Sequence, residues 1–179
     1  MRANIFYILT MLFLLNSPIL AQEATIEQIQ ELHEQVKEDR KNGYYYTDEL
    51  VVNSKKRRYI DSILPYRVER FFYQYEKNHK YKLWNVIIIF HKDNQKYHQE
   101  FLYNADKELI LYMEGKMGQE YDFRILYFNQ DQVIHWKEEK ETILLENLTA
   151  EQKQRIQKII ERGSHYQKTF SPPNLNTRF

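Results

Sequence analysis

Two stretches of the chain place apolar residues three and four positions apart, which is the spacing of an amphipathic helix. The first follows Thr25, and its apolar positions are Ile26, Ile29, Leu32 or His33, and Val36. The second follows Thr149, and its apolar positions are Ile156, Ile159 and Ile160. The pattern therefore predicts one helix near each end of the chain.

Residues at the expected boundaries support both helices. A hydroxyl residue is followed three positions later by glutamine in each stretch, which is the capping-box pattern of a helix start. The two pairs are Thr25 with Gln28, and Thr149 with Gln152. Glycine marks the expected helix ends, at Asn42-Gly43 for the first helix and at Gly163 for the second.

Between the helices, aromatic and β-branched residues alternate with polar ones, and short polar connections separate the stretches. The predicted strands are Tyr44–Val52, Tyr66–Glu76, Lys82–His91, Lys96–Tyr103, Leu109–Met113, Tyr121–Phe128 and Gln132–Lys137. The fold class is therefore predicted to be α+β. It is a single curved antiparallel β-meander of about six or seven strands, flanked by an N-terminal and a C-terminal amphipathic helix. We expect both helices to cover one apolar face of the sheet.

Two tight turns define the expected strand register. A turn at Asn94-Gln95 places Ile88 opposite Phe101 and Val86 opposite Tyr103. A turn at Gln130-Asp131 places Ile125 opposite Trp136 and Tyr127 opposite Ile134. The predicted apolar faces are Trp84, Val86, Ile88, Phe90, Phe101, Tyr103, Leu109, Leu111 and Met113 in one group, and Tyr121, Phe123, Ile125, Tyr127, Ile134 and Trp136 in the other.

The first 21 residues have the order of a secretory signal peptide. Its parts are a positive start at Arg2, an apolar run from Ile5 to Leu15, a break at Pro18, and a small residue, Ala21. The alternative is an uncleaved anchor, but a spanning helix needs about 20 apolar residues. We therefore expect cleavage before Gln22 and a periplasmic or extracellular protein with no stable membrane anchor. Residues 22–170 would form one domain, and residues 171–179 a flexible tail.

Composition narrows the chemistry. The chain contains no cysteine, which excludes disulfides, thiolate zinc sites and thiol catalysis. Arg2 is the only charged residue among the first 21, so their removal leaves 25 of the 26 basic residues and all 25 acidic ones. A charge-balanced domain has no long-range attraction for nucleic acid. We therefore interpret the basic run at residues 55–58 as a solvated loop.

Sequence motifs for catalysis are lacking. With four glycines in the chain, neither a dinucleotide-binding nor a P-loop glycine pattern occurs. The serine nucleophile elbow and the zincin helix motif are also missing from the sequence. We expect no cofactor. Acidic residues that folding could still bring together in a hydrolytic site are Asp122, Glu138, Glu139 and Glu141.

One group of residues is a candidate metal site. In the predicted register His91 lies opposite His98 across a hairpin, and Glu100 shares their face two residues further on. Two imidazoles and a carboxylate are suitable ligands for a transition metal. A shift of one residue in the register would separate the histidines, so an ordinary solvated pair is the alternative.

The aromatic content is the stronger functional signal, with 15 Tyr, 10 Phe and 2 Trp. The predicted partner-binding residues are Tyr44, Tyr46, Tyr73, Tyr75 and Arg124. Surplus aromatic residues on a sheet face tend to mark an interaction surface, unless a helix covers each face. We expect a non-enzymatic binding domain for a protein or glycan of the cell envelope. The alternatives are a hydrolase of an extracellular or envelope polymer, acting through Asp, Glu and His side chains, and a structural or oligomeric subunit.

Overall fold

The computed structural model describes residues 25–52, 66–76, 80–92, 95–118 and 123–172. The predicted signal peptide, the basic run and most of the predicted tail lie outside these residues. The elements in chain order are α1 (residues 25–41), β1 (Tyr46–Val52), β2 (Arg67–Tyr75), β3 (Tyr81–Lys92), β4 (Gln95–Tyr103), β5 (Leu109–Lys116), β6 (Phe123–Asn129), β7 (Gln132–Glu138), β8 (Glu141–Thr142), a 3₁₀ turn (Leu145–Asn147) and α2 (Ala150–Thr169).

The eight strands form one sheet in chain order, and every neighbouring pair is antiparallel. The predicted α+β meander with a helix at each end is therefore confirmed, with one strand more than expected. The additional strand, β8, follows a turn in which Glu139 has a φ of 54°. Its two residues, Glu141 and Thr142, are exposed and carry no apolar signal, which is why the sequence pattern does not reveal it.

The two helices pack on opposite faces of the sheet, so the expectation that both cover one face is wrong. Ile159 and Tyr166 of α2 belong to the larger core cluster, together with Phe101 and Tyr103 of β4. On the other side, α1 contributes to a second cluster with Leu102. Because successive residues of a strand point to opposite faces, Phe101 and Leu102 assign one helix to each face.

Three β-bulges supply much of the α1 side of the core. The register between neighbouring strands skips one residue in each of three strands, Trp84 in β3, Ile110 in β5 and Ile134 in β7. All three extra residues pack in the cluster with α1. A bulge puts two consecutive side chains on one face, so Leu111 also lies on the α1 face. The predicted grouping of Trp84, Leu111 and Met113 with Val86 is therefore wrong.

The two predicted turns have different outcomes. Gln130 and Asp131 have φ angles of 49° and 60°, and Asn129 pairs with Gln132, so the second turn is confirmed. The register predicted from it is wrong beyond the bulge at Ile134, because Tyr127 pairs with His135 and Leu126 pairs with Trp136. Trp136 therefore packs in the cluster with α2, and Tyr127 packs in the cluster with α1. In the β3–β4 hairpin, Lys92 pairs with Gln95, and Val86 pairs with Phe101, so that register differs from the prediction by two residues. A shift of two preserves the alternation of faces.

Helix α2 begins as predicted but ends later than predicted. The capping box is confirmed, because the Thr149 hydroxyl accepts from the Gln152 amide at 3.2 Å and the Gln152 side chain accepts from the Thr149 amide at 2.8 Å. The predicted end at Gly163 is wrong, since the helix continues to Thr169. A Cβ at Gly163 would lie 3.0 Å from a methyl of Leu109. This glycine therefore allows the helix to approach the sheet.

The boundaries of α1 are partly as predicted. Gly43 follows the helix with a φ of 76°, a conformation that glycine adopts without steric cost. Residue 25 is already helical, so Thr25 is not the N-cap. Ile29, His33 and Val36 are the buried residues of this helix. Their spacing of three to four places them on the face toward the sheet.

Candidate functional site

Exposed apolar side chains concentrate around the edge strand β1. The described residues contain six exposed large apolar side chains, and four of them lie between positions 44 and 51. Their exposed fractions are 65% for Tyr44, 52% for Tyr46, 51% for Leu50 and 39% for Val51. Among the described strands, β1 pairs with β2 alone. We call residues 44–51 the β1 surface.

An aromatic cluster supports this surface from below. The Tyr46 ring stacks on Tyr73 at 5.7 Å and meets Tyr75 edge-on at 5.0 Å. Tyr73 also packs 5.2 Å from Phe170, which follows α2. Tyr73 is only 3% exposed, and burial, together with Asp48 and Tyr75, raises the pKa of its hydroxyl. Tyr73 therefore belongs to the core, whereas the Tyr46 side chain is open to solvent.

A groove of 490 Å³ runs beside β1, between β2 and the C-terminal half of α2. Leu50, Phe71 and His165 are among its lining residues. A nearly buried carboxylate, Glu69, lies in its wall, where it accepts from Arg67 Nε at 2.7 Å and from the Tyr166 hydroxyl at 3.1 Å. The groove therefore has both apolar and polar lining residues. Its buried carboxylate, Glu69, already has an arginine and a tyrosine hydroxyl as partners.

Arg124 lies far from Tyr46, Tyr73 and Tyr75 in the strand order. It is in β6, and four strands separate β6 from β1. Its guanidinium bonds to Glu114 at 2.6 Å and also pairs with Glu138, while Arg155 of α2 reaches the same Glu114. Of the five predicted partner-binding residues, the structure therefore brings Tyr46, Tyr73 and Tyr75 into contact, with Tyr44 nearby in the chain, and places Arg124 elsewhere.

The predicted metal ligands do not meet as expected. His98 pairs with Ile89, whereas His91 pairs with Lys96 and packs 6.2 Å from the Tyr66 ring. His98 Nε2 lies 3.7 Å from Glu100 Oε2, so this part of the group is close. In the described part of the chain, no three His, Cys, Asp or Glu residues are arranged to hold a metal ion.

Glu100 is instead the centre of a buried polar network beneath α1. This carboxylate is 4% exposed. Its Oε1 lies 2.9 Å from Arg40 Nη1, 2.9 Å from Asn85 Nδ2 and 3.3 Å from His33 Nε2. The His33 contact is not aligned as a hydrogen bond. Arg40 also bonds to the side-chain oxygen of Asn85, so the network connects α1 to both β3 and β4.

The network determines the ionisation of its members. Burial alone would raise the pKa of Glu100, but His33 and Arg40 outweigh it and lower that pKa to about 2. Burial lowers the pKa of His98, although Glu100 opposes this change. A carboxylate held ionised in this way cannot donate a proton near neutral pH. The network therefore connects α1 to the sheet through an ionised carboxylate and is unsuited to general acid catalysis.

Sequence reasoning missed His33 and Arg40 as partners of Glu100. A signal for them is present in the first helix, since positions 33, 36 and 40 lie on one helical face. A histidine and an arginine in phase with the buried Val36 indicate polar groups directed toward the sheet. Their partner could not be identified without knowing which sheet face α1 covers.

No protein-family model matches the chain, and no curated protein or solved structure shows significant similarity to it. Within the described residues, none of the helices has the length and apolarity required to cross a membrane. The fold and sites define an α+β protein in which two helices enclose an eight-stranded antiparallel meander. Its function has to be inferred from the chemistry of its surfaces.

Proposed function

We propose that this protein is a non-enzymatic binding domain that recognises an extended segment of a cell-envelope protein at the β1 surface. The carrying observation is that Tyr44, Tyr46, Leu50 and Val51 account for four of the six exposed large apolar side chains of the described residues. Such a concentration on one edge exceeds the scattered exposure that is ordinary for a protein surface.

The edge position explains how recognition would work. An extended partner can add to the free side of an edge strand, so that main-chain hydrogen bonds supply affinity and alternate side chains supply specificity. Tyr46 and Leu50 lie on the same face of β1, because they are four residues apart in the strand. Leu50 lines the 490 Å³ groove. The Tyr46 ring rests on Tyr73 and Tyr75, which limits the side-chain entropy lost on binding.

A hydrolase is the alternative, and the described carboxylates give it little support. Glu69, Glu100 and Glu114 each contact an arginine. Polymer hydrolysis by paired carboxylates needs one of the pair to keep its proton near neutral pH. Of these three, Glu100 has its pKa lowered to about 2 by His33 and Arg40, which is the opposite of what a general acid needs. Asp122 lies outside the described residues, and Glu139 and Glu141 are exposed.

The site of action in this proposal is the periplasm or the extracellular space, after removal of residues 1–21. Its support is the charged, apolar and small-residue order of that segment. Intact-mass measurement of the exported protein tests it. A chain beginning near Gln22 is the expected result, and retention of Met1 would show that the segment is not cleaved.

The binding proposal can be tested by photocrosslinking in the native host. A benzophenone amino acid replaces Val51 on the β1 surface, and the same residue replaces Leu144 in a control, because Leu144 is 59% exposed elsewhere. We expect a protein adduct from position 51 only. The double variant Tyr46→Ser/Leu50→Ser should abolish it, and the matched variant Met117→Ser/Leu144→Ser should leave it intact.

Other outcomes would reject the proposal. Equal adducts from positions 51 and 144 would indicate nonspecific contact. An adduct with a second copy of this chain, confirmed by light scattering, would favour the oligomeric subunit. Affinity between the identified partner and the purified protein, measured by calorimetry, must fall at least about tenfold in the Tyr46→Ser/Leu50→Ser variant for the surface to remain the site.

A further inference from the structure

A second cleft lies far from the β1 surface, between β6–β7 and the N-terminal half of α2. Its volume is 530 Å³, within the range of small-molecule sites. Arg124 and Trp136 line it on the sheet side, and Gln152, Gln154 and Lys158 line it on the helix side. No residue of the β1 surface contributes to this cleft.

Two buried hydrogen-bond donors on the sheet side of the cleft have no acceptor. Among the described residues, three buried side-chain nitrogens lack a hydrogen bond, and they belong to His33, Arg124 and Trp136. His33 Nε2 still has the Glu100 carboxylate at 3.3 Å. Arg124 Nε and Trp136 Nε1 remain without an acceptor, and both side chains line the same cleft. Buried donors of this kind require an acceptor oxygen.

The indole N–H of the other tryptophan, Trp84, has a hydrogen-bond acceptor, so the missing acceptor is a property of Trp136. Trp84 Nε1 donates to Gln74 Oε1 at 2.9 Å. Trp136 is more deeply buried, at 1% exposure, and the cost of an unpaired donor is greater there. An oxygen atom supplied by an external molecule would remove this cost for Trp136 and would leave Trp84 unaffected.

The charges around the cleft indicate the class of that molecule. Three cations, Arg124, Arg155 and Lys158, line it. Three carboxylates oppose them, Glu138 and Glu151 in the lining and Glu114 in contact with both arginines. The charges therefore balance, and no net field attracts an anion. The amides of Gln152 and Gln154 add both donors and acceptors.

We propose that this cleft binds a neutral saccharide. Each sugar hydroxyl both donates and accepts a hydrogen bond, so a saccharide matches a lining in which carboxylates, amides and N–H donors are interspersed. Less than 1 Å² of Trp136 Nε1 and of Arg124 Nε is accessible, so the side chain of Arg124 has to shift for a saccharide oxygen to accept from Trp136 Nε1 and a neighbouring oxygen to accept from Arg124 Nε. This site uses other residues than the β1 surface, so each can fail without the other.

Nuclear magnetic resonance tests the proposal directly, because the chain has only two tryptophans and so two indole N–H resonances. The labelled protein is titrated with maltotriose, with chitotriose and, separately, with inorganic phosphate. With one of the saccharides we expect a saturable downfield shift of the Trp136 resonance at millimolar concentration. The Trp84 resonance serves as the internal control and should not move.

Variants then assign the contact. Trp136→Phe removes the donor and keeps most of the ring volume, and we expect at least about tenfold weaker binding by calorimetry. Because this buried substitution can affect folding, Gln154→Ala provides a second variant at an exposed position in the lining. It should weaken binding about threefold, whereas Gln157→Ala, exposed on the same helix outside the lining, should not.

Three results would overturn the proposal. A Trp136 shift with phosphate alone would indicate an anion site. Equal shifts of both indoles would indicate nonspecific binding. An unchanged Trp136 resonance with every probe would leave an internal water as the acceptor.

Discussion

Arg40, in the last turn of α1, lies 2.9 Å from the carboxylate of Glu100 in the middle of β4. The pair is buried, with side chains 15% and 5% exposed, and it connects the first helix to the centre of the sheet. Removing one member of such a pair leaves an uncompensated charge away from water. The contact is therefore a specific test of how α1 is held.

Replacing Glu100 with Gln should destabilise the protein by about 3–5 kcal/mol, because Arg40 loses its charged partner in a buried setting. Urea unfolding followed by circular dichroism measures the change. The exposed ion pair between Lys37 and Glu34 on the same helix provides the control, and Glu34→Gln should cost no more than about 0.5 kcal/mol. Similar losses in both variants would contradict a special role for the buried pair.

Acidification should destabilise the protein through His98. Burial lowers the pKa of His98 below its ordinary value of 6.5, so the unfolded chain binds a proton at that site more readily than the folded one. The stabilising contribution is complete above pH 6.5 and is lost as the pH falls through the lower folded pKa. The charged groups that act on His98 are Glu100, Arg40 and His33. Glu100, with its pKa of about 2, stays ionised in this range.

Urea unfolding between pH 8 and pH 5 measures this dependence. His98→Gln should reduce the slope of the unfolding free energy with pH. The pKa of His135 is also lowered by burial, so His135→Gln serves as the matched comparison and should remove a different part of the slope. An unchanged slope in His98→Gln would show that His98 is not responsible.

Gly163→Val should destabilise the packing of α2 on β5 by about 1–3 kcal/mol, since overpacking a well-filled contact forces neighbours to move. The added Cβ meets Leu109 at 3.0 Å, and the Gly163 carbonyl accepts from the Tyr103 hydroxyl at 3.0 Å. Thermal unfolding compares this variant with Glu161→Val at an exposed position of the same helix. A loss no greater than that of Glu161→Val would argue against a close approach.

The tyrosines should separate into core and surface residues. Tyr73→Ala should cost about 3–5 kcal/mol, as large aromatic truncations in a core do, because Tyr73 packs on Phe170 and Tyr75. Tyr46→Ala, at a half-exposed position, should cost no more than about 1 kcal/mol. Chemical denaturation measures both, and equal losses would contradict the assignment of Tyr46 to the open side.

Much of the fold could be predicted from local patterns. The capping box at Thr149 and the Gln130-Asp131 turn depend on residues close together in the chain, and the structure contains both. The alternation of apolar residues indicates strands for the same local reason. Bulges at Trp84, Ile110 and Ile134 could not be predicted, because each results from matching one strand to its neighbours and to the helices above and below.

The candidate sites, like the fold, were predictable only where they depend on residues close together in the chain. The sequence by itself determined the strands that carry the tyrosines, the absence of cysteine, and the face shared by Glu100 and His98. Only the tertiary structure decided that α1 and α2 cover opposite faces, which buries Tyr73 and leaves Tyr46 at the edge. The tertiary structure also shows that the neighbours of Glu100 are His33 and Arg40, where the sequence had predicted His91. The physical reason is that strand periodicity assigns side chains to a face, whereas long-range packing determines what covers that face.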